Sequence, residues 1–216
     1  MRRIRQRIAP LVLALFVSAL AAPWPAAAQS TSPVDLSVPP PAPVTLPAST
    51  SAFIVVDLLQ STCPPNPLCM NTLPAEAAGL QAARAANVHV LYTVHLAPDN
   101  VILTDVAPAT SDPIVAAIPG DKFFDSNLDY ILRQAGITNL VLTGVNSNSG
   151  IMYTAGAAAQ RGYTVVVAQD VIAGADAQAT TVARWQLLHG PGANPQNTPL
   201  LAKAITLSQT DLITYQ

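Results

Sequence analysis

Residues 142–158 read LTGVNSNSGIMYTAGAA, and this stretch decides the fold class. It leaves an apolar run, passes through a polar loop that closes on Gly150, and enters an alanine-rich segment. We interpret it as a strand, a loop and a helix, which is the connection expected where helices cover a parallel sheet. Ligands bind beyond the carboxyl ends of the strands in such sheets, so the loop is a predicted binding region.

The chain on either side repeats this alternation of strand and helix. Strands are predicted at 52–57, 88–93, 140–143 and 163–168, and helices at 74–86, 126–135, 150–160 and 176–188. The strands are continuous apolar runs, which is typical of strands buried on both faces. We therefore predict a three-layer α/β/α fold with a central, mostly parallel sheet.

The N-terminal segment predicts export. Residues 1–28 combine four arginines with an apolar run and end in AAA, the pattern of a secretory signal cleaved near Ala28. The apolar run is nearer 12 residues than the ~20 needed to span a bilayer, so no stable membrane anchor is expected. Residues 29–50 are rich in proline and predict a linker, and 51–216 predict one domain. The mature protein is expected in the periplasm or outside the cell.

The charge balance narrows the class of ligand. The chain has 10 Lys+Arg and 12 Asp+Glu, and the predicted signal removes four arginines, which leaves 6 against 12. A chain this poor in cations does not suit nucleic acid or an anionic membrane surface. We expect a small-molecule substrate or a protein partner.

The two cysteines favour a local disulfide. Cys63 and Cys69 lie in STCPPNPLCMN, and in an exported protein an oxidising compartment would join such a pair. Two reduced thiols remain the alternative. A metal site would need further ligands close in sequence, and none appear, so neither a metal nor another cofactor is predicted.

Polar residues at the predicted strand ends are candidates for chemistry. Asp57 closes the first strand, where a carboxylate could transfer protons or bond loop amides. Lys122, one of two lysines, could hold an acid or an anionic substrate, or pair in solvent with Asp121 or Asp125. His95 ends the second strand and has no partner at metal-ligand spacing.

These pieces, in this order, resemble the isochorismatase-like hydrolase superfamily. The resemblance covers roughly residues 51–176 and is carried by SAFIVVDLLQ, VHVLYTVH, GDKFFDSNLDYILRQAGITNLVLTGV and NSNSGIMYTAGAAAQRGYTVVVAQDVIAGAD. It implies a Rossmann-type three-layer fold with a pocket at the carboxyl ends of the strands. It also implies self-association into a homo-oligomer.

The resemblance assigns roles to three residues. Amidase members use an aspartate, a lysine and a cysteine; Asp57 and Lys122 match the first two, and Gly150 stands at the cysteine position. The isochorismatase branch is similar in carrying glycine there, and it hydrolyses a vinyl ether with a carboxylic acid and water. Asp57 is then expected to act as general acid/base, with Lys122 tuning its charge or binding a carboxylate and Gly150 making room.

The same resemblance suggests binding residues. Asn146, Ser147, Asn148, Ser149, Gln60 and His95 are expected to contact substrate or water. A cis peptide is expected at Val145–Asn146. Leu59 replaces the glutamine that many relatives carry, and the segment after Lys122 is short, so an unfamiliar substrate is expected.

Two other interpretations stay open. One is a retired hydrolase that binds a small molecule or a partner without turning it over. The other is an amidase that uses Ser147 or Ser149, although no histidine is obviously placed to activate either residue.

Overall fold

A computed structural model describes residues 34–96 and 100–216; the predicted signal peptide lies outside these residues. The strands are β1 (Val44–Leu46), β2 (Ser51–Val56), β3 (His89–His95), β4 (Ile114–Ala117), β5 (Asn139–Val145), β6 (Thr164–Ala173), β7 (Ile205–Ser208) and β8 (Ile213–Tyr215). The helices are α1 (Pro67–Met70), α2 (Leu73–Ala85), α3 (Leu128–Gln134), α4 (Met152–Gln160) and α5 (Ala177–His189).

The central sheet has six parallel strands in the order β4-β3-β2-β5-β6-β7. Strand β2 lies in the middle and is buried along its whole length. Its residue Val56 is in register with Thr93 of β3 and Gly144 of β5, so the carboxyl ends of these three neighbouring strands lie side by side. The predicted mostly parallel sheet is confirmed.

Helices cover both faces of this sheet. Alternate residues of β2 belong to two different apolar clusters, with Ile54 in one and Phe53 in the other. The first cluster also holds residues of α3, α4 and α5, and the second holds residues of α2 together with both cysteines. Two buried faces explain why the strands carry continuous apolar runs.

Two strands of the sheet were not predicted from the sequence. Strands β4 and β7 have four residues each and lie at the two edges of the sheet. So short a run gives little periodic signal, because a strand needs several alternations before its pattern stands out.

The proline-rich segment contributes to the packed body. Strand β1 pairs in parallel with β8, and the Ala42 N–H donates to the carbonyl of Leu207 at 2.9 Å. Val44 and Leu46 are buried in the same cluster as α2. The packed chain therefore begins upstream of residue 51, inside the predicted linker 29–50.

In residues 34–96 and 100–216, every helix falls short of the length and apolar character that a bilayer crossing requires. The helix predicted at 150–160 begins earlier, because a π-helical turn at Ser147–Ile151 leads directly into α4.

Candidate active site

Asp57 stands at the carboxyl end of the central strand. It is 2% exposed and adopts a left-handed backbone conformation with φ of 51°, which non-glycine residues rarely do. Its N–H donates to the carbonyl of Thr93 at 3.2 Å, and Oδ1 accepts the Thr93 hydroxyl at 2.8 Å. Strand β3 thus anchors both the backbone and the side chain of Asp57.

Lys122 is fully buried and contacts this carboxylate. Its Nζ lies 2.5 Å from Oδ2 of Asp57 and donates to the carbonyl of Ile118 at 3.1 Å. Helix α4 holds the turn before α3 in place, because the Lys122 N–H donates to the hydroxyl of Thr154 on α4 at 3.0 Å. The lysine therefore pairs with Asp57 and not with its sequence neighbours Asp121 and Asp125.

His95 completes the cluster from the end of β3. Its Nε2 lies 2.7 Å from Oδ2 of Asp57, and its side chain is 26% exposed. The Asn100 amide donates to the carbonyl of His95. His95 is thus the solvent-facing member of a cluster whose other two members are buried.

The cluster keeps Asp57 ionised. Burial by itself raises the pKa of this carboxyl, but the hydrogen bond from His95 and the charge and hydrogen bond of Lys122 outweigh it. The pKa of Asp57 therefore lies below its ordinary value. An ionised carboxylate is the form that acts as a general base, so this environment favours the base half of the acid/base role expected from the sequence.

Gly150 lies beside Lys122. A Cβ at this position would be 3.7 Å from Cε of Lys122, 3.3 Å from Cγ1 of Val56 and 3.1 Å from the carbonyl of Val145. The first carbon of any side chain at position 150 would thus contact Lys122. The expected cis peptide at Val145–Asn146 is present.

The other loop residues differ in exposure. Asn146 and Asn148 are exposed, Ser149 is half-buried and Ser147 is buried. Within residues 34–96 and 100–216 the Ser147 hydroxyl has no hydrogen-bond partner, and it lies 2.8 Å from where a Cβ on Gly174 would be. It therefore lacks a base, which disfavours the serine-amidase interpretation for this residue.

The remaining predicted residues lie in the loop after β2. The side chain of Gln60 is exposed, and its N–H donates to the carbonyl of Val101 at 2.8 Å. Cys63 and Cys69 form a disulfide with an Sγ–Sγ distance of 2.04 Å, which confirms the predicted pairing.

Sequence reasoning missed three groups that hold the cluster. They are the Thr93 hydroxyl, the Thr154 hydroxyl and the Ile118 carbonyl. Thr93 could have been found, because it lies one strand over from the predicted end of β2. Thr154 and Ile118 carry no such signal, since their contacts depend on how α4 and the turn before α3 pack.

The chain resembles known proteins over most of the described domain. A family model described as the isochorismatase domain matches residues 51–198. The chain belongs to the isochorismatase family. A secreted isochorismatase effector, Isc1 of Verticillium dahliae, is 30% identical over 108 residues, which cover 45% of this chain and 57% of that protein. The chain thus spans just over half the length of this curated relative.

Solved structures of family members share the fold. A cysteine hydrolase from Pseudomonas syringae pv. phaseolicola has a TM-score of 0.68 at 21% identity and covers 80% of this chain and 94% of its own. N-carbamoylsarcosine amidase from Thermoplasma acidophilum has a TM-score of 0.63 at 20% identity and covers 75% and 97%. The fold and family are those of hydrolases, as predicted.

Proposed function

We propose that this isochorismatase-family protein is an exported hydrolase of a small molecule, in which water rather than a side chain attacks the substrate. The contact of Asp57 with Lys122 and His95, directly beside Gly150, carries the proposal. The cluster offers an ionised carboxylate with a buried cation and a solvent-facing imidazole, each within hydrogen-bond distance of that carboxylate.

Asp57 acts as the general base. Its lowered pKa leaves the carboxylate free to take a proton from water as the water oxygen bonds to the electrophilic carbon of the substrate. The proton then passes from Asp57 to the leaving group, and the carboxylate is regenerated. Lys122 stabilises the negative charge that develops during attack.

Gly150 favours this route. Glycine at 150 cannot form a covalent intermediate, and it leaves the space beside Cε of Lys122 without a side chain of its own. A thiolate at this position would occupy that space and supply the nucleophile itself.

The charges around the site favour an uncharged substrate. Four arginines of the described chain are engaged elsewhere: Arg84 with Asp112, Arg133 with Asp129, Arg161 over the Phe123 ring and Arg184 with the carbonyl of Gln169. Lys122 is neutralised by Asp57. A dicarboxylate would bring two further negative charges to this carboxylate, and Lys122, the lysine in contact with it, is already paired.

Three features support export. The first 28 residues have the composition of a secretory signal, the Cys63–Cys69 disulfide suits an oxidising compartment, and one relative is described as secreted. Mass spectrometry of the protein recovered outside the cytoplasm should find a mature N-terminus near residue 29.

The test of the mechanism is turnover by matched variants. Isochorismate, an uncharged vinyl ether and a panel of small primary amides would be assayed with the purified protein. We expect an uncharged primary amide to be hydrolysed, because its carbonyl carbon is electrophilic and water attack places negative charge on its oxygen, and we expect Asp57→Asn to lower kcat/KM by about 10²–10⁴-fold. Asp105→Asn and Lys203→Gln change an exposed aspartate and the other lysine, and both should leave turnover intact.

Three outcomes separate the hypotheses. Turnover that survives Asp57→Asn or Lys122→Met would contradict the mechanism. Saturable binding without turnover would favour the retired hydrolase. Labelling by a serine-directed acyl probe that is lost in Ser149→Ala would restore the amidase interpretation.

A second test addresses the space at Gly150. Gly150→Ala places a methyl group beside Lys122 and Val56, and we expect it to lower kcat/KM by about tenfold or more. Gly156→Ala is the matched control. Gly156 lies on α4, just after the π-helical turn that holds Gly150, and its added methyl group would meet Cβ of Pro191 at 3.4 Å rather than Lys122. Equal activity of the two variants would show that the space is not used.

A further inference from the structure

The loop that follows Asp57 makes contacts that the hydrolytic mechanism does not use. We propose that Thr62 is a positioning residue for Asp57, and that the Cys63–Cys69 disulfide holds Thr62 in place. The inference rests on the proposed role of Asp57 and adds a device that couples the site to the oxidation state of the protein.

Thr62 bonds directly to the backbone of Asp57. Its hydroxyl donates to the Asp57 carbonyl at 2.6 Å and accepts the Leu59 N–H at 3.1 Å. The Leu59 N–H also lies 2.9 Å from the same carbonyl. These contacts close a tight turn around a residue whose backbone is left-handed, and they fix the direction in which the carboxylate points.

The disulfide restrains the residue next to Thr62. Cys63 and Cys69 are fully buried, and the Cys63 N–H donates to the carbonyl of Leu59 at 3.0 Å. Thr62 is therefore held between its contacts with Leu59 and the neighbouring Cys63, which the disulfide ties to a residue six positions later. Opening the link would free the turn to adopt other conformations, because the loop around it is otherwise half-exposed.

The far end of the loop reaches the other side of the site. The Asn66 amide donates to the carbonyl of Gly174 at 2.8 Å, and Gly174 faces the buried hydroxyl of Ser147. The disulfide loop thus joins the end of β2, where Asp57 lies, to the segment after β6 and to the loop that carries Gly150.

Thr72 supplies a matched control within the same region. Its hydroxyl donates to the carbonyl of Cys69 at 2.7 Å, and it is half-buried like Thr62. Removing the Thr72 hydroxyl costs its bond to a carbonyl near the disulfide, whereas removing the Thr62 hydroxyl costs its bonds to the Asp57 carbonyl and to the backbone of Leu59. Thr62 alone of the two bonds to Asp57.

The experiment is a carboxyl-carbon NMR titration of Asp57 in the purified protein. We expect Thr62→Val to raise the pKa of Asp57, because the carboxylate is no longer aimed at Lys122 and His95. Thr62→Ser should restore the wild-type titration, and Thr72→Val should match wild type. Thermal unfolding would confirm that each variant is folded.

Reduction of the wild-type disulfide is the second arm. Loss of the link should move the Asp57 titration in the same direction as Thr62→Val, and reoxidation should reverse it. If Thr62→Val does not fold, this arm decides the question. An Asp57 titration that is unchanged in folded Thr62→Val, or equally changed in Thr72→Val, would overturn the assignment.

The Asp57 titration needs no substrate. A titration that contradicts the role of Thr62 can therefore be told apart from a failure of the proposed hydrolase function. Once a substrate is found, Thr62→Val should lower kcat by about tenfold with little change in KM, since it misplaces a catalytic group without removing one. A change in KM alone would count against a positioning role.

Discussion

Two buried carboxyl groups of this chain have opposite protonation states. Asp57 meets Lys122 at 2.5 Å and His95 at 2.7 Å, and its pKa is lowered. Glu76, on α2, is also fully buried, but its Oε1 accepts the Thr143 hydroxyl at 2.6 Å, and its Oε2 has no hydrogen-bond partner in the part of the chain that the structure describes. Burial raises the pKa of Glu76 to about 8; the Thr143 hydrogen bond opposes this and the charge of Asp170 adds to it.

Position in the fold accounts for the difference. Asp57 lies at a strand end, where groups from β3 and from the turn before α3 converge on one carboxylate. Glu76 lies on a helix face that packs against β5 in an apolar cluster. The first site supports an ionised carboxylate for chemistry, and the second keeps a neutral acid in the core.

The two groups make stability depend on pH in opposite directions. Asp57, whose folded pKa is lowered, contributes stability above its unfolded pKa of 3.8, and this is lost as the pH falls through the folded pKa. Glu76, whose folded pKa is raised, contributes stability that is complete below 4.5 and is lost as the pH rises through about 8.

The largest effect is expected from Glu76→Gln. Glutamine can still accept the Thr143 hydroxyl but cannot ionise, so the decline in unfolding free energy between pH 4.5 and 8 should flatten. The two pKa values correspond to a decline of roughly 5 kcal/mol for this one group. Urea unfolding at several pH values measures it. Glu76 is the single glutamate of the chain, so no other glutamate contributes. A decline as steep in Glu76→Gln as in wild type would contradict the assignment.

The next effect should come from breaking the ion pair at the site. Lys122→Met leaves the Asp57 carboxylate buried without its cation, at a cost of about 3–5 kcal/mol at pH 7. Adding Asp57→Asn to that variant removes the unpaired charge and should recover most of the loss. Chemical denaturation of the wild type, the two single variants and the double variant gives the coupling energy between Asp57 and Lys122. Additive losses of unfolding free energy would show that the two groups do not act as a pair.

A smaller effect is expected from the disulfide. Replacing Cys63 and Cys69 by alanine should lower the unfolding free energy by roughly 2 kcal/mol, because the closed loop is short. The pH dependence assigned to Glu76 should remain. Loss of that dependence in the double variant would mean that the loop and α2 are more tightly coupled than their contacts indicate.

The sequence predicted the strand ends better than the contacts between them. Continuous apolar runs were sufficient to place Asp57 and His95 at one edge of a parallel sheet. The pairing of Asp57 with Lys122 was inferred by resemblance, since 65 residues separate them and no local pattern joins them. The contact between His95 and Asp57 needs the register of two strands, which the sequence does not specify.

Glu76 was not singled out at all. It occupies the first turn of α2, just after Pro74, where an acidic residue is ordinarily a solvated partner of the helix dipole. Its burial follows from the packing of α2 against Thr143, which lies 67 residues away. Strand β1 was missed for a similar reason, because its partner β8 is 169 residues distant.

The pairing of β1 with β8 has a consequence for the order of folding during synthesis. Val44–Leu46 is made about 165 residues before its partner Ile213–Tyr215. It therefore stays without this partner while the intervening chain is made, and the cost of closing so long a loop is met only when the central sheet has brought the two strands together. The two-stranded sheet therefore forms late, and its pairing reports that the domain between the two strands has folded.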